Sequence, residues 1–280
     1  MRYFAEDIDL GISLRNVELV ESLRTPHHQW DLLRHQTLGF ALVMDGELQH
    51  VEAWQALYHE PLVHVPAAFV PTIQRALVLG GGSLFAAAEV LRYPTVEECI
   101  LVDHDAGVLE LMARHYEHAS AVLNDRRFRH DAGDALGFVS RSEPKFDLII
   151  NDATDIVVTH EGSEVGVLKA LSEILAHDGV CADVIYRHML DEAYIARTLE
   201  ALKQRSPYAL SLVFVPEYPG ILHLLSIWGS HRLDQRVKKP INRVQRAWAA
   251  GQRPHLQFYN PNFLHFYLHL PPYVRARLSL

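Results

Sequence analysis

Two apolar runs that stop abruptly at polar residues constrain this chain more than any other feature. Ala76-Leu77-Val78-Leu79 runs into Gly80-Gly81-Gly82, and Phe146-Asp147-Leu148-Ile149-Ile150 runs into Asn151-Asp152-Ala153-Thr154-Asp155. In an open α/β sheet, ligands bind outside the carboxyl ends of the strands, where the strand order reverses. One glycine-rich tip and one doubly acidic tip therefore predict a nucleoside-type ligand facing a cationic or proton-losing substrate.

The periodicity around these runs fits such a sheet. Apolar strand patterns at 75–79, 98–102, 127–130, 146–150 and 180–184 alternate with helical patterns at 83–92, 107–116, 165–175 and 193–205. That alternation implies right-handed crossovers and a mainly parallel sheet. Runs at 210–215 and 222–228 read as a final antiparallel pair. The first 65 residues differ: apolar and polar residues alternate, and Asp45-Gly46 is a hairpin signal, which predicts a small antiparallel sheet. A helix is expected over 52–64, with Pro66 and Pro71 bracketing a linker. The expected division is an N-terminal antiparallel β domain over 1–65 and a Rossmann-like catalytic domain over 66–280. The aromatic tail from 254 on is expected to fold back over a helix or a site. Trp30 and Trp54 read as core.

Composition excludes several classes. A net charge of −8 argues against nucleic-acid binding, which needs a basic face. No run approaches the roughly 20 apolar residues needed to span a bilayer. The acidic N-terminus is unlike a signal peptide, so a cytoplasmic protein is expected. Cys99 and Cys181 lie in apolar strand-like runs and read as buried free thiols. The 18 histidines show no zinc-site spacing, and no metal is expected.

The strand tips carry specific chemistry. Glycines at 80–82 let the backbone approach a ligand closely. Asp103, at the tip of the next strand about 20 residues on, suits ribose hydroxyls. Asp105 suits capping of the helix that begins near Ala106. Asp134, in Asp131-Ala132-Gly133-Asp134-Ala135, either accepts a hydrogen bond from an adenine amine or simply turns the chain. A nicotinamide fingerprint wants a small residue three positions past the second glycine, where this chain has Phe85. A sulfonium nucleoside fits better, because Asp152 beside it can take the proton of an attacking amine.

Nine short segments, in order, resemble the spermidine synthase (polyamine aminopropyltransferase) family. They are Gln29 in a Ser-x-x-Gln-like segment, the hairpin Leu42–Gln49, Tyr58-His59-Glu60-Pro61-Leu62-Val63-His64, and Leu77–Gly82. Val102-Asp103-His104-Asp105, Gly133-Asp134-Ala135, Asn151–Asp155, Val215–Gly220 and Tyr259-Asn260-Pro261 with His265 complete the set. The resemblance implies a Rossmann-like S-adenosylmethionine-dependent transferase fold of seven strands, with a small N-terminal β domain, in a homodimer. It implies aminopropyl transfer from decarboxylated S-adenosylmethionine to a diamine or polyamine, releasing methylthioadenosine. By position, Asp152 deprotonates the attacking amine, while Tyr58, Asp155 and Tyr218 line the amine path. Gln29, Gly80, Gly81, Gly82, Asp103 and Asp134 hold the nucleoside.

The chain departs from that pattern at several points. Ser83 stands where the family has the loop aspartate that grips the donor's terminal amine, and Leu84 and Phe85 stand where it has glycines. Losing that aspartate removes a charge-assisted hydrogen bond of roughly 1.5–3 kcal/mol. Trp54-Gln55 replaces an acidic pair, and Glu217 replaces a threonine. Two other readings stay open: an aminocarboxypropyl transferase or methyltransferase using intact S-adenosylmethionine, and a non-catalytic relative.

Overall fold

A computed structural model describes residues 3–4, 11–141, 145–153, 164–185, 192–204, 206–218, 223–229, 233, 237–252, 254–278 and 280. The N-terminal part opens with a short pair, β1 (Tyr3–Phe4) and β2 (Gly11–Ile12). An antiparallel sheet follows in the order β3 (Val17–Arg24), β4 (Gln29–His35), β5 (Gly39–Met44), β6 (Glu47–Val51). Asp45 and Gly46 both have positive φ, 50° and 92°, as a two-residue turn between twisted strands requires. Side chains alternate across the sheet. Trp30, Leu32 and Leu42 join the main core, whereas Leu33, Ala41, Val43, Leu48 and Val51 build a smaller one.

A turn at Glu52–Trp54 leads into α1 (Gln55–Ala67). The helix begins three residues later than its pattern suggests and runs through Pro61 and Pro66, so Pro66 does not open a linker. Burial of ten of its residues outweighs the poor propensity of two prolines. The carboxylate of Glu60 accepts the backbone N–H groups of Gln257, Phe258 and Tyr259 at 2.8, 2.8 and 2.6 Å. The aromatic tail thus folds back over α1, as its composition suggested.

The central sheet has seven strands: β7 (Arg75–Gly80), β8 (Glu98–Val102), β9 (Phe128–Asp131), β10 (Phe146–Asp152), β11 (Leu175–Ile185), β12 (Tyr208–Val213) and β13 (His223–Gly229). Their order is β12-β13-β11-β10-β7-β8-β9. β9, β8, β7, β10 and β11 are mutually parallel, and β13 runs antiparallel to both β11 and β12. The helices between them include α2 (Phe85–Leu91), α3 (Ala106–His115), α4 (Glu117–Leu123), α5 (Ala135–Arg141), α6 (Glu164–Ile174) and α7 (Glu192–Lys203). β11 starts five residues before its apolar run, directly after α6, and α4 and α5 were not anticipated. Cys99 and Cys181 are buried and free.

From β7 the chain builds outward through β8 and β9, then returns to β10 on the other flank of β7. The strand order reverses there, between Gly80 and Asp152, which face each other in register. The polar strand tips read in the sequence meet at this switch point.

Candidate active site

A cleft of about 340 Å³ opens over the switch point, roofed by the N-terminal sheet and α1. Gly80, Gly81, Gly82, Asp103, Asp134, Asp152, Tyr58 and Tyr218 all line it. Gln29 does not. Strand alternation turns its side chain to the opposite face, where its amide donates to Ser22 Oγ at 2.8 Å. Its neighbours His28 and Trp30 line the cleft instead. Asp155 lies outside the described residues.

The glycines are required by what surrounds them. Gly80 and Gly81 have φ of 72° and 78°, a region costly to other residues. A Cβ on Gly81 would sit 3.0 Å from Asp152 Oδ2, and one on Gly82 would sit 2.5 Å from Val108 Cγ1. The loop backbone therefore runs directly beside the Asp152 carboxylate and leaves the cleft open above it.

Asp152 ends β10 with its Oδ1 accepting the Tyr58 hydroxyl at 2.5 Å. Burial pushes its carboxyl up to about 7; the Tyr58 hydrogen bond opposes that and the nearby Asp103 charge adds to it. Asp103 is raised as well, chiefly by burial, although its Oδ1 accepts the Asp105 N–H at 2.9 Å. Asp105 caps α3 through the Gly107 N–H at 3.0 Å. It also accepts Thr25 Oγ1 at 2.6 Å and the Trp30 indole at 2.7 Å. Burial works against its ionisation, but these three donors outweigh it and hold the carboxyl below its usual range. Asp134 both faces the cleft and turns the chain, its Oδ2 taking the Gly137 N–H at 2.5 Å at the start of α5.

Glu217, in the loop after β12, is 8% exposed and lines the cleft. Its Oε1 accepts the Val51 N–H at 2.8 Å, and burial raises its carboxyl to about 7. Among the described residues the wall thus carries five carboxylates, Asp103, Asp105, Asp134, Asp152 and Glu217, and no lysine or arginine. His50 and His59, also on the wall, are driven to about 3 and 4 by burial, so both are neutral near pH 7. The cleft is built for a cation.

Several of these residues were not singled out as ligands from the sequence. Gln49 closes the quoted hairpin segment and His104 sits between two named acids, so a signal for each was present. Trp30 and Trp54, read as core, line the cleft; Trp30 does both, being 7% exposed within the main core. Leu84 and Phe85 do not narrow the site, because both turn inward. Phe85 stacks on His118 at 3.9 Å between ring centroids, and Leu84 is fully buried. Leu84 nevertheless holds φ of 66°, which costs about 1–2 kcal/mol in a non-glycine residue. A cavity left by a buried leucine costs roughly 2–5 kcal/mol. Leu84→Gly is therefore expected to be a net destabilisation, read as a melting temperature lowered by several degrees in a thermal scan.

Fold and cleft together define an open α/β protein with a glycine-floored, anionic site at its switch point. The family model described as spermine/spermidine synthase domain matches residues 55–238, and the chain belongs to that family. A polyamine aminopropyltransferase from Caldicellulosiruptor bescii is 29% identical over 95% of this chain and 94% of its own length. One from Moorella thermoacetica is 28% identical over 97% and 93%. Putrescine N-methyltransferase 2 from Nicotiana tabacum is 29% identical over 96% of this chain and 78% of its length. The crystal structure of spermidine synthase from Thermotoga maritima superimposes with a TM-score of 0.83 at 22% identity, covering 99% of this chain and 93% of that one.

Proposed function

We propose that the protein transfers an aminopropyl group from decarboxylated S-adenosylmethionine to a diamine or polyamine, releasing methylthioadenosine. The observation that carries this reading is the Tyr58–Asp152 pair beside Gly81, in a cleft that carries five carboxylates and, among the described residues, no lysine or arginine. On this reading Gly80, Gly81, Gly82, Asp103 and Asp134 hold the nucleoside, and Tyr58 and Tyr218 border the amine path. The N-terminal β domain roofs the cleft and the catalytic domain supplies its floor, with α1 spanning the expected boundary between residues 65 and 66.

A primary amine has a pKa of about 10.4, so it arrives protonated at neutral pH and cannot attack. The carboxylates draw the cation in, and Asp152 takes its proton. The amine nitrogen then forms a bond to the propyl carbon attached to sulfur. The carbon–sulfur bond breaks, its electron pair returns to sulfur, and the sulfonium leaves as a neutral thioether. The leaving group is already activated, so the reaction calls for neither a metal nor an oxyanion hole. Holding both reactants at one strand tip supplies much of the remaining rate enhancement.

Incubation with decarboxylated S-adenosylmethionine and a panel of diamines should yield methylthioadenosine; absence of product with every amine overturns the reading. A second reading, methyl transfer from intact S-adenosylmethionine, is favoured by Ser83 in the loop and by the likeness to a putrescine N-methyltransferase. The same incubation with the intact donor decides between them by product. The proposal extends to a homodimer in the cytoplasm, and light scattering tests the dimer. Among the described residues no helix is long and apolar enough to cross a membrane.

The pH dependence follows from the Asp152 carboxyl at about 7. A base must be ionised in the free enzyme, so kcat/KM for the amine should rise with pH through about 7. Tyr58 donates to the ionised form and holds that value down. Tyr58→Phe should therefore move the rising limb to higher pH by about one unit, allowing for solvent at the cleft. A limb that stays in place, or moves to lower pH, would contradict the assignment.

A further inference from the structure

Where the helix α1 begins, one polar atom in the cleft wall has nothing to bind. Oε1 of Gln55 is shielded from solvent and has no hydrogen-bond partner among the described residues. A buried acceptor left in that state costs about 1–3 kcal/mol, so an unmet acceptor on a ligand-binding wall points to a donor that arrives with the ligand. Gln55 and Tyr58 share one face of α1, about one turn or 4.5 Å apart along the axis, and Tyr58 is bonded to Asp152.

The second observation comes from a different part of the chain. Glu217 reaches across from the loop after β12 and is fixed to the N–H of Val51, the last residue of β6, immediately before the turn that delivers Gln55. Glu217 is therefore tied to the segment that delivers Gln55, and both line the cleft. Burial favours its neutral form, at a carboxyl value of about 7; a neighbouring cation would reverse that preference. This corner joins a charged acceptor and a neutral one. An alkylammonium group carries three donors and no acceptor and complements both.

We infer that Gln55 and Glu217 form the recognition site for the second ammonium group of the acceptor, and so select a diamine over a monoamine. The inference rests on the aminopropyl-transfer reading and deepens it. One nitrogen of the acceptor reacts at Asp152 and Tyr58, and the other is held about one helical turn away. At this corner the chain departs from the family pattern at both positions, so the second ammonium group is read here by residues particular to this sequence.

Calorimetry with the full chain and methylthioadenosine present tests the inference without turnover. 1,4-Diaminobutane is titrated against n-butylamine, which has the same alkyl length and a single nitrogen. The wild type is expected to prefer the diamine at least tenfold. Glu217→Gln keeps an acceptor for the Val51 N–H and removes the charge, so the preference should fall to threefold or less while n-butylamine affinity changes less than twofold. Gln55→Leu, which leaves the Val51 contact untouched, should lower the preference at least threefold. A wild type without a diamine preference, or without affinity for either amine, overturns the inference. So does retention of the preference in both variants, or an equal loss of both amines. Whether methylthioadenosine is formed from the decarboxylated donor is read separately, so failure of the broader reading shows as lost product rather than as lost discrimination.

Discussion

Replacement of Asp152 by asparagine is expected to lower kcat/KM for the amine by about 10²–10⁴-fold, the usual contribution of a positioned base. Asparagine retains the Oδ1 that accepts the Tyr58 hydroxyl and the volume beside Gly81, so what is removed is the capacity to take a proton. The same substitution carries an independent stability signature. Burial raises the Asp152 carboxyl from 3.8 to about 7, so the folded state binds a proton that the unfolded state releases. Stability is therefore lost as pH rises from about 4 to 7, and the penalty is full above 7. Three pH units amount to about 4 kcal/mol; screening at the cleft mouth reduces this to about 2 kcal/mol. Asp152→Asn should consequently melt several degrees higher than the wild type at pH 8, with the difference vanishing near pH 4. A dead variant that is also less stable at pH 8 would mean the site had collapsed, and the base assignment would lose its support.

Ser83→Asp is expected to raise the preference for decarboxylated over intact S-adenosylmethionine by about 10- to 100-fold, the size of one charge-assisted hydrogen bond. Ser83 lines the cleft directly after the three glycines. A carboxylate there would attract the donor's terminal ammonium and repel the carboxylate that only the intact donor carries. Competition between the two donors in one reaction, read by the ratio of products, measures the change. An unchanged ratio would place the donor's tail away from this loop and weaken both readings of the function.

The strand tips were legible because each is written locally, as an apolar run ending at a polar residue. Their meeting was legible too, since alternating strands and helices fix a parallel sheet with a reversal point. Gln29 was misplaced for an equally local reason. Whether a residue of β4 faces the cleft depends on the parity of its position, and the alternation gives that face to Trp30, with His28 just before the strand on the same side. Glu217 was visible only as a substitution. Its meeting with Val51 joins two distant parts of the chain and leaves no periodic trace in either. Leu84 shows the same limit. Its left-handed backbone and its buried side chain pull in opposite directions, and a leucine in place of a family glycine does not itself tell that the packing turns the added bulk inward. The helix α1 continued through Pro66 because tertiary burial overrode propensity, which no window of neighbouring residues contains.

The central claim is that a sulfonium nucleoside and an amine meet at the junction of Gly81 and Asp152. A crystal structure with methylthioadenosine bound tests it most directly, since the thioether sulfur marks where the transferred carbon was attached. The account predicts the ribose hydroxyls on Asp103 and the sulfur over Gly81, facing the Asp152 carboxylate. A nucleoside bound with its sulfur turned away from Asp152, or seated outside this cleft, would contradict it.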